Sequence, residues 1–204
     1  MARQPKMYSW FAKPGAGKTT ALINVIKQKV SKGDRAIVVD PDGCEAAWDK
    51  FKRVESVKDI PTDFKGVYVV PHEDGETFKD LQNRLKKREL FNFMLVLDDP
   101  NVYATPKPEP ELSYLLKRKR QFGMDILTTA HGWGECPQAF MRFIDIYIIG
   151  PTDSSPTERQ SLLTKAVSDR HMQWKQAVNK AKSSNPNSYP WAVITRDGRK
   201  FSGQ

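Results

Sequence analysis

The sequence is short of cysteine and of long apolar runs. Its two cysteines, Cys44 and Cys136, lie far apart and form no Cys-x-x-Cys pair. That spacing argues against a disulfide framework or a zinc site and fits a reducing compartment. No apolar run approaches the ~20 residues that a membrane-spanning helix needs. The longest, Phe91–Leu97 and Phe143–Ile149, have the length of strands. The run Met7–Phe11 is too short for the core of a secretory signal, and no small-residue cleavage site follows it. The expectation is a protein of the cytoplasm without a membrane span of its own. Internal repeats and low-complexity segments are also missing, so neither a solenoid nor a disordered tail is indicated.

What remains is enough for one folded unit. At 204 residues, with 39% hydrophobic and 28% charged residues, the chain reads as a single domain spanning residues 1–204. Its net charge is +9, from 33 Lys and Arg against 24 Asp and Glu. A positive field of that size favours polyanions. It gains meaning only beside a nucleotide site.

Apolar runs and amphipathic stretches alternate. Strands are expected at Met7–Phe11, Ala36–Asp40, Val67–Val70, Phe93–Asp98, Met124–Ala130 and Ile144–Ile149. Most lack clean polar alternation, as strands buried on both faces of a parallel sheet do. Helices are expected at Thr19–Ser31, Glu76–Leu90, Glu109–Gln121 and Pro156–Ala181. Strand alternating with helix predicts an α/β fold with a mainly parallel central sheet and helices on both faces. The tail, with Asp197-Gly198 between Trp191–Thr195 and Lys200–Ser202, predicts a small C-terminal hairpin. Ser183–Ser188 reads as a polar connection.

The first chemical signal is Ala12-Lys13-Pro14-Gly15-Ala16-Gly17-Lys18-Thr19, between a strand and a helix. It matches the phosphate-loop pattern G-x-x-x-x-G-K-[ST], with Ala12 in place of the first glycine. Gly15 and Gly17 let the backbone curl so that N–H groups face phosphate oxygens, and the following helix adds its positive end. Lys18 is the point charge for the β- and γ-phosphates, and the Thr19 hydroxyl is a ligand for Mg²⁺. Pro14, Gly15, Ala16, Gly17, Lys18, Thr19 and Thr20 form the expected ATP-contacting set. The Ala12 departure is mild unless its φ has to be positive.

The second signal is an apolar strand ending in Asp98-Asp99. Ligands bind at the carboxyl edge of such sheets. Asp98 is expected to hold Mg²⁺ and Asp99 to orient or deprotonate the attacking water.

The third is Arg120-Gln121-Phe122-Gly123, the strand Met124–Ala130, then His131. In this order the three segments resemble the FtsK–HerA superfamily of DNA-pumping ATPases. Members show an Arg three residues before a Gly, and a polar sensor, usually Gln, eight after it. Arg120 and His131 hold those places about Gly123. Asp40-Pro41-Asp42-Gly43 is similar to the turn that ends the family's second strand. The resemblance spans Met7 to Leu163. It implies a RecA-like core with the sensor strand between the phosphate-loop strand and the acidic strand, so that His131 reaches the γ-phosphate. It implies a homo-oligomeric ring, pentamer or hexamer, in which an arginine of one subunit completes its neighbour's site. The candidates are Arg118, Arg120, Arg142 and Arg159, with Arg120 and Arg159 favoured. The chain's size is similar to that of the genome-packaging ATPases of icosahedral viruses with an internal membrane. That implies double-stranded DNA as cargo, a capsid vertex or membrane protein as docking partner, and a place in the host cytoplasm or on the virion.

Basic clusters at Lys86-Lys87-Arg88, Lys117–Arg120, Lys180-Ala181-Lys182 and Arg196–Lys200 are candidate phosphate contacts, each also readable as a solvated face. Trp133 could touch DNA from the loop after the sensor strand or could simply pack. Other readings stay open: a Zot-type phage assembly ATPase, a small-molecule P-loop kinase whose lid would be Pro106–Arg120, and a non-catalytic nucleotide-binding scaffold.

Overall fold

The computed structural model describes residues 4–43, 45–104, 107–155, 163–184, 191–197 and 200–201. Its strands are β1 (Met7–Phe11), β2 (Arg35–Asp40), β3 (Lys52–Arg53), β4 (Gly66–Pro71), β5 (Met94–Leu97), β6 (Asp125–Ala130), β7 (Ile146–Ile149), β8 (Ala192–Thr195) and β9 (Lys200–Phe201). The helices are α1 (Lys18–Val30), α2 (Thr77–Lys86), α3 (Asn101–Ala104), α4 (Pro110–Arg118), α5 (Gln138–Met141) and α6 (Lys165–Ser184). One sheet runs in the order β3-β4-β2-β5-β6-β1-β7-β8-β9. All pairs from β3 to β7 are parallel; β8 and β9 add antiparallel at one end. The α/β expectation holds, as does the tail hairpin. β6 lies between β5 and β1, where the family resemblance puts a sensor strand.

Both faces of the sheet are covered, which is why the central strands read as continuous apolar runs. Ala36, Val38, Met94 and Val96 point to the layer formed by Leu22, Ile23 and Ile26 of α1 with Trp48. Their neighbours Ile37, Val39, Leu95 and Leu97 point to the other layer, with Phe78 and Leu81 of α2, Leu112 and Leu115 of α4, and Phe140 of α5. The period of two survives inside the runs as a choice between two apolar layers. The two edge strands, β3 and β9, are only two residues long. The short helices α3 and α5 and the strand β3 had no periodic signal, being too short to show one.

Charged clamps tie down the amino ends of the strands. Asp125 accepts from the Lys6 N–H at 2.8 Å, and Asp145 from the Met7 N–H at 2.8 Å. Lys119 is buried; its ammonium donates to the Phe143 carbonyl at 2.9 Å and to Asp145. Burial holds that ammonium below its ordinary range, against the pull of Asp145. Lys119 therefore drops out of the basic surface expected at Lys117–Arg120: it is spent on positioning β7.

Trp133 is also a core residue and not a DNA contact. It is fully buried, stacked on Phe11 at 4.4 Å between ring centroids and on His171 of α6 at 5.3 Å. His171 has neither ring nitrogen hydrogen-bonded. Burial, with Lys175 nearby, pushes its pKa down to about 4. The folded state thus resists a proton that the unfolded chain accepts at its ordinary value of 6.5. The stability His171 permits is complete above that value and drains away as pH falls towards about 4, a linkage of roughly 3 kcal/mol. His171→Phe is expected to match the wild type in denaturant titrations at pH 7 and to lose less stability at pH 5.

Candidate active site

Parallel strands bring their carboxyl ends to one edge, and the register fixes which residues meet there. Phe11 lies opposite Ala130, and Leu97 opposite Thr128. Ala12, Asp98, Thr129 and His131 therefore emerge side by side. Ala12 extends the ladder, its N–H donating to the Ala130 carbonyl at 3.2 Å, and it is not among the residues with positive φ. Alanine is unstrained there. The left-handed positions are Gly15 (φ 73°) and Gly17 (φ 80°), the latter capping α1. A Cβ at either would meet open space, so the demand for glycine is conformational and not steric crowding. The Lys13 N–H donates to Pro151 O at 2.7 Å, which fastens the loop to the segment after β7.

Lys18 is curled back into its own loop. Its ammonium donates to the carbonyls of Ala12 (2.7 Å) and Lys13 (3.1 Å) and sits 3.0 Å from His131 Nδ1. An ammonium has only donors, so Nδ1 is the acceptor and carries no proton in this arrangement. Burial lowers the Lys18 pKa; Asp98, then Glu135, then Asp99 oppose that shift.

Asp98 is 9% exposed. Its Oδ1 accepts from the Thr129 hydroxyl at 2.6 Å and its Oδ2 from the Thr19 hydroxyl at 3.4 Å. Burial raises its pKa, an effect only partly offset by these bonds. Asp99 adopts φ 44°, unusual for a residue with a side chain. That turn lets its N–H reach the Thr129 hydroxyl at 3.2 Å and points Oδ1 at the Asn101 N–H, 3.4 Å away, at the start of α3.

These groups line an open cleft of about 490 Å³ that includes Pro14, Gly15, Gly17, Lys18, Thr19, Thr20, Asp98, Asp99 and His131. Ala16 is in the loop but not in the lining. Asp42, Glu45 and Thr129 also face the cleft and were not foreseen. Thr129 had a legible signal, a hydroxyl in an otherwise apolar strand. Glu45 had none, since Arg53 brings it there from a separate edge strand. That guanidinium donates to buried Asp40 at 2.8 Å, to Gly43 O at 3.0 Å and to Glu45 O at 2.9 Å, and so pins the turn over the site.

The arginines do not join this cluster. Arg120 is exposed at the opposite edge of the sheet, just before β6 begins. Arg118 bonds Gln121 on α4's exposed end, and Arg142 lines a separate opening beside Pro137 and Gln138. Arg159 and the lid residue Pro106 lie outside the described residues.

No protein-family model and no curated protein matches the sequence. Solved structures do. The genome packaging NTPase B204 from Sulfolobus turreted icosahedral virus 2, in complex with AMP, superposes with a TM-score of 0.69 at 16% identity, over 98% of each chain. The same protein in complex with AMPPCP gives 0.67 at 15% identity, over 95% of this chain and 93% of that one. B204, the DNA-packaging ATPase from Sulfolobus turreted icosahedral virus, also gives 0.67 at 15%, over 96% and 95%. The chain shares the fold of these P-loop NTPases. The likeness extends over nearly the whole of both chains, hairpin and α6 included, and not only the nucleotide-binding core.

A buried carboxylate with a raised pKa opposes folding once it is charged. The folded state then favours the protonated form, so relative stability falls as pH rises above the ordinary value of 3.8. Asp98→Asn is expected to raise the melting temperature of the nucleotide-free protein at pH 7, a gain absent near pH 3. Calorimetry at both pH values checks this.

Proposed function

We propose that the chain is an ATP-hydrolysing motor that translocates double-stranded DNA, with genome packaging into a preformed capsid as its role. The observation that carries this reading is the convergence, at the tips of three adjacent strands, of two hydrogen-bonded pairs, Lys18 with His131 and Thr19 with Asp98. The end-to-end likeness to a genome packaging NTPase supports the packaging role.

On this reading the loop N–H groups from Gly15 to Thr19 receive the phosphates. Lys18 exchanges the Ala12 and Lys13 carbonyls for β- and γ-phosphate oxygens, which frees His131 to face the γ-phosphate. The Thr19 hydroxyl and the Asp98 carboxylate, 3.4 Å apart, are hard oxygen donors suited to Mg²⁺. That ion would offset phosphate charge when bound. Asp99 orients the attacking water after turning away from Asn101. Loss of that bond to the first residue of α3 gives hydrolysis a mechanical output at the helix. The chain acts as a homo-oligomeric ring, pentamer or hexamer, and Arg120 or Arg159 of one subunit offsets transition-state charge in its neighbour. A capsid vertex or membrane protein is the docking partner.

Steady-state phosphate release from Mg²⁺ and ATP tests this, with and without long double-stranded DNA. The wild type is expected to be stimulated by DNA, and Lys18→Ala to lose ~10²-fold or more of the rate. Turnover indifferent to DNA would sink the motor reading. Arg120→Ala doped into wild-type protein should depress the rate more than in proportion if the residue acts in trans.

A further inference from the structure

At the edge of the sheet opposite the phosphate loop, two adjoining cavities share Pro5, Asn92 and Gly123 and make one groove. The larger part, about 730 Å³, runs between the ends of α2 and α4 past Lys86, Arg88, Tyr114 and Arg120. Three exposed cations line it, Lys86 at the end of α2, Arg88 just beyond it and Arg120 just beyond α4, and three more, Lys87, Lys117 and Arg118, are exposed on the same two helix ends. None of the six forms an ion pair with a described residue. The nearby acid Glu89 is taken by Arg84 at 3.1 Å. Tyr114 lies beneath both rims, 5.1 Å from the Lys86 ammonium and 5.5 Å from the Arg118 guanidinium. The side chains of the two clusters thus share one aromatic floor.

The backbone gives a second, independent observation. Arg88 (φ 59°) and Asn92 (φ 51°) are in the left-handed region. Arg88 follows the C-cap of α2, with its N–H on Leu85 O at 3.0 Å and the Glu89 N–H on Arg84 O at 2.9 Å. Glycine is the ordinary residue at that turn. A long cation is held instead in a strained conformation, beside the groove, and strain of this kind gathers where a side chain has work to do.

We propose that this groove is the surface that carries the phosphodiester backbone of double-stranded DNA, without reading sequence. The inference rests on the motor reading and adds the surface to it. Charge complementarity selects the occupant: a cluster of cations on an aromatic floor matches a polyanion of closely spaced phosphates. Arg35, in the smaller part of the groove, is not counted, because its guanidinium is held by the carbonyls of Thr62, Phe64 and Phe91. The position also joins the groove to the nucleotide. The Asn92 N–H donates to Phe122 O at 3.0 Å where β5 and β6 begin, and Thr129 and Asp98 are bonded where the same two strands end. The pair spans the sheet from DNA contact to Mg²⁺ ligand.

Fluorescence anisotropy with a labelled duplex of arbitrary sequence, titrated with salt, tests the assignment. The variants are Arg88→Gly, which removes a cation and relaxes its backbone, and Arg88→Gly combined with Lys86→Ala and Lys117→Ala. Arg88→Gly is expected to melt no lower than the wild type, to bind less tightly, and to reduce the salt slope by about 1. The triple variant should bind ~10-fold more weakly or worse, with unchanged phosphate release in the absence of DNA. Wild-type affinity and slope in the triple variant would overturn the groove and leave the motor reading standing. No duplex binding by a wild type that still releases phosphate would overturn the groove and the DNA reading together, sparing only the ATPase. If the triple variant loses binding together with its fold, Arg88→Gly decides: weaker binding supports the groove, and unchanged binding overturns it.

Discussion

The parallel register of β5, β6 and β1 is the constraint on which the rest depends. These strands are joined by crossovers, so their carboxyl ends must fall at the same edge. Once Phe11 is opposite Ala130 and Leu97 opposite Thr128, the phosphate loop, the buried carboxylate and the histidine have one place to be. Both apolar layers serve that register, because a shift of one residue in a buried strand would exchange the residues meant for α1 with those meant for α2 and α4.

Within that frame the two buried charges of the cleft both have hydrogen-bond partners. Lys18 rests on two carbonyls and a ring nitrogen, and Asp98 on two hydroxyls. Neither is left as a bare buried charge. The arrangement keeps an ammonium and a carboxylate apart although both are in the same cleft. A direct pair would be harder for a ligand to open.

Much of this was legible from residues alone. The six main strands follow from their apolar runs, and the phosphate loop, Asp98 and His131 from their places at strand ends. Trp133 and Lys119 were not legible, because burial depends on what packs above a loop: α6 comes from a distant segment, and Asp145 from a neighbouring strand. Glu45 owes its place to Arg53 and a two-residue edge strand, too small to have a period. The orientation of Asp99 towards Asn101 needs a left-handed backbone at an aspartate, which no propensity suggests. Arg120 stands at the far edge of the sheet, a position that its spacing from Gly123 along the chain did not reveal.

The brevity of the two edge strands has a consequence for assembly. A sheet ordinarily offers a row of unpaired amides at each side, to which another copy can zip. Here β3 presents only Lys52 and Arg53, and β9 only Lys200 and Phe201. Among the described residues these edges offer little template for pairing with another copy. A copy docking at either of these described edges would be held by side chains, contacts that can slide and re-form where a hydrogen-bonded ladder would lock.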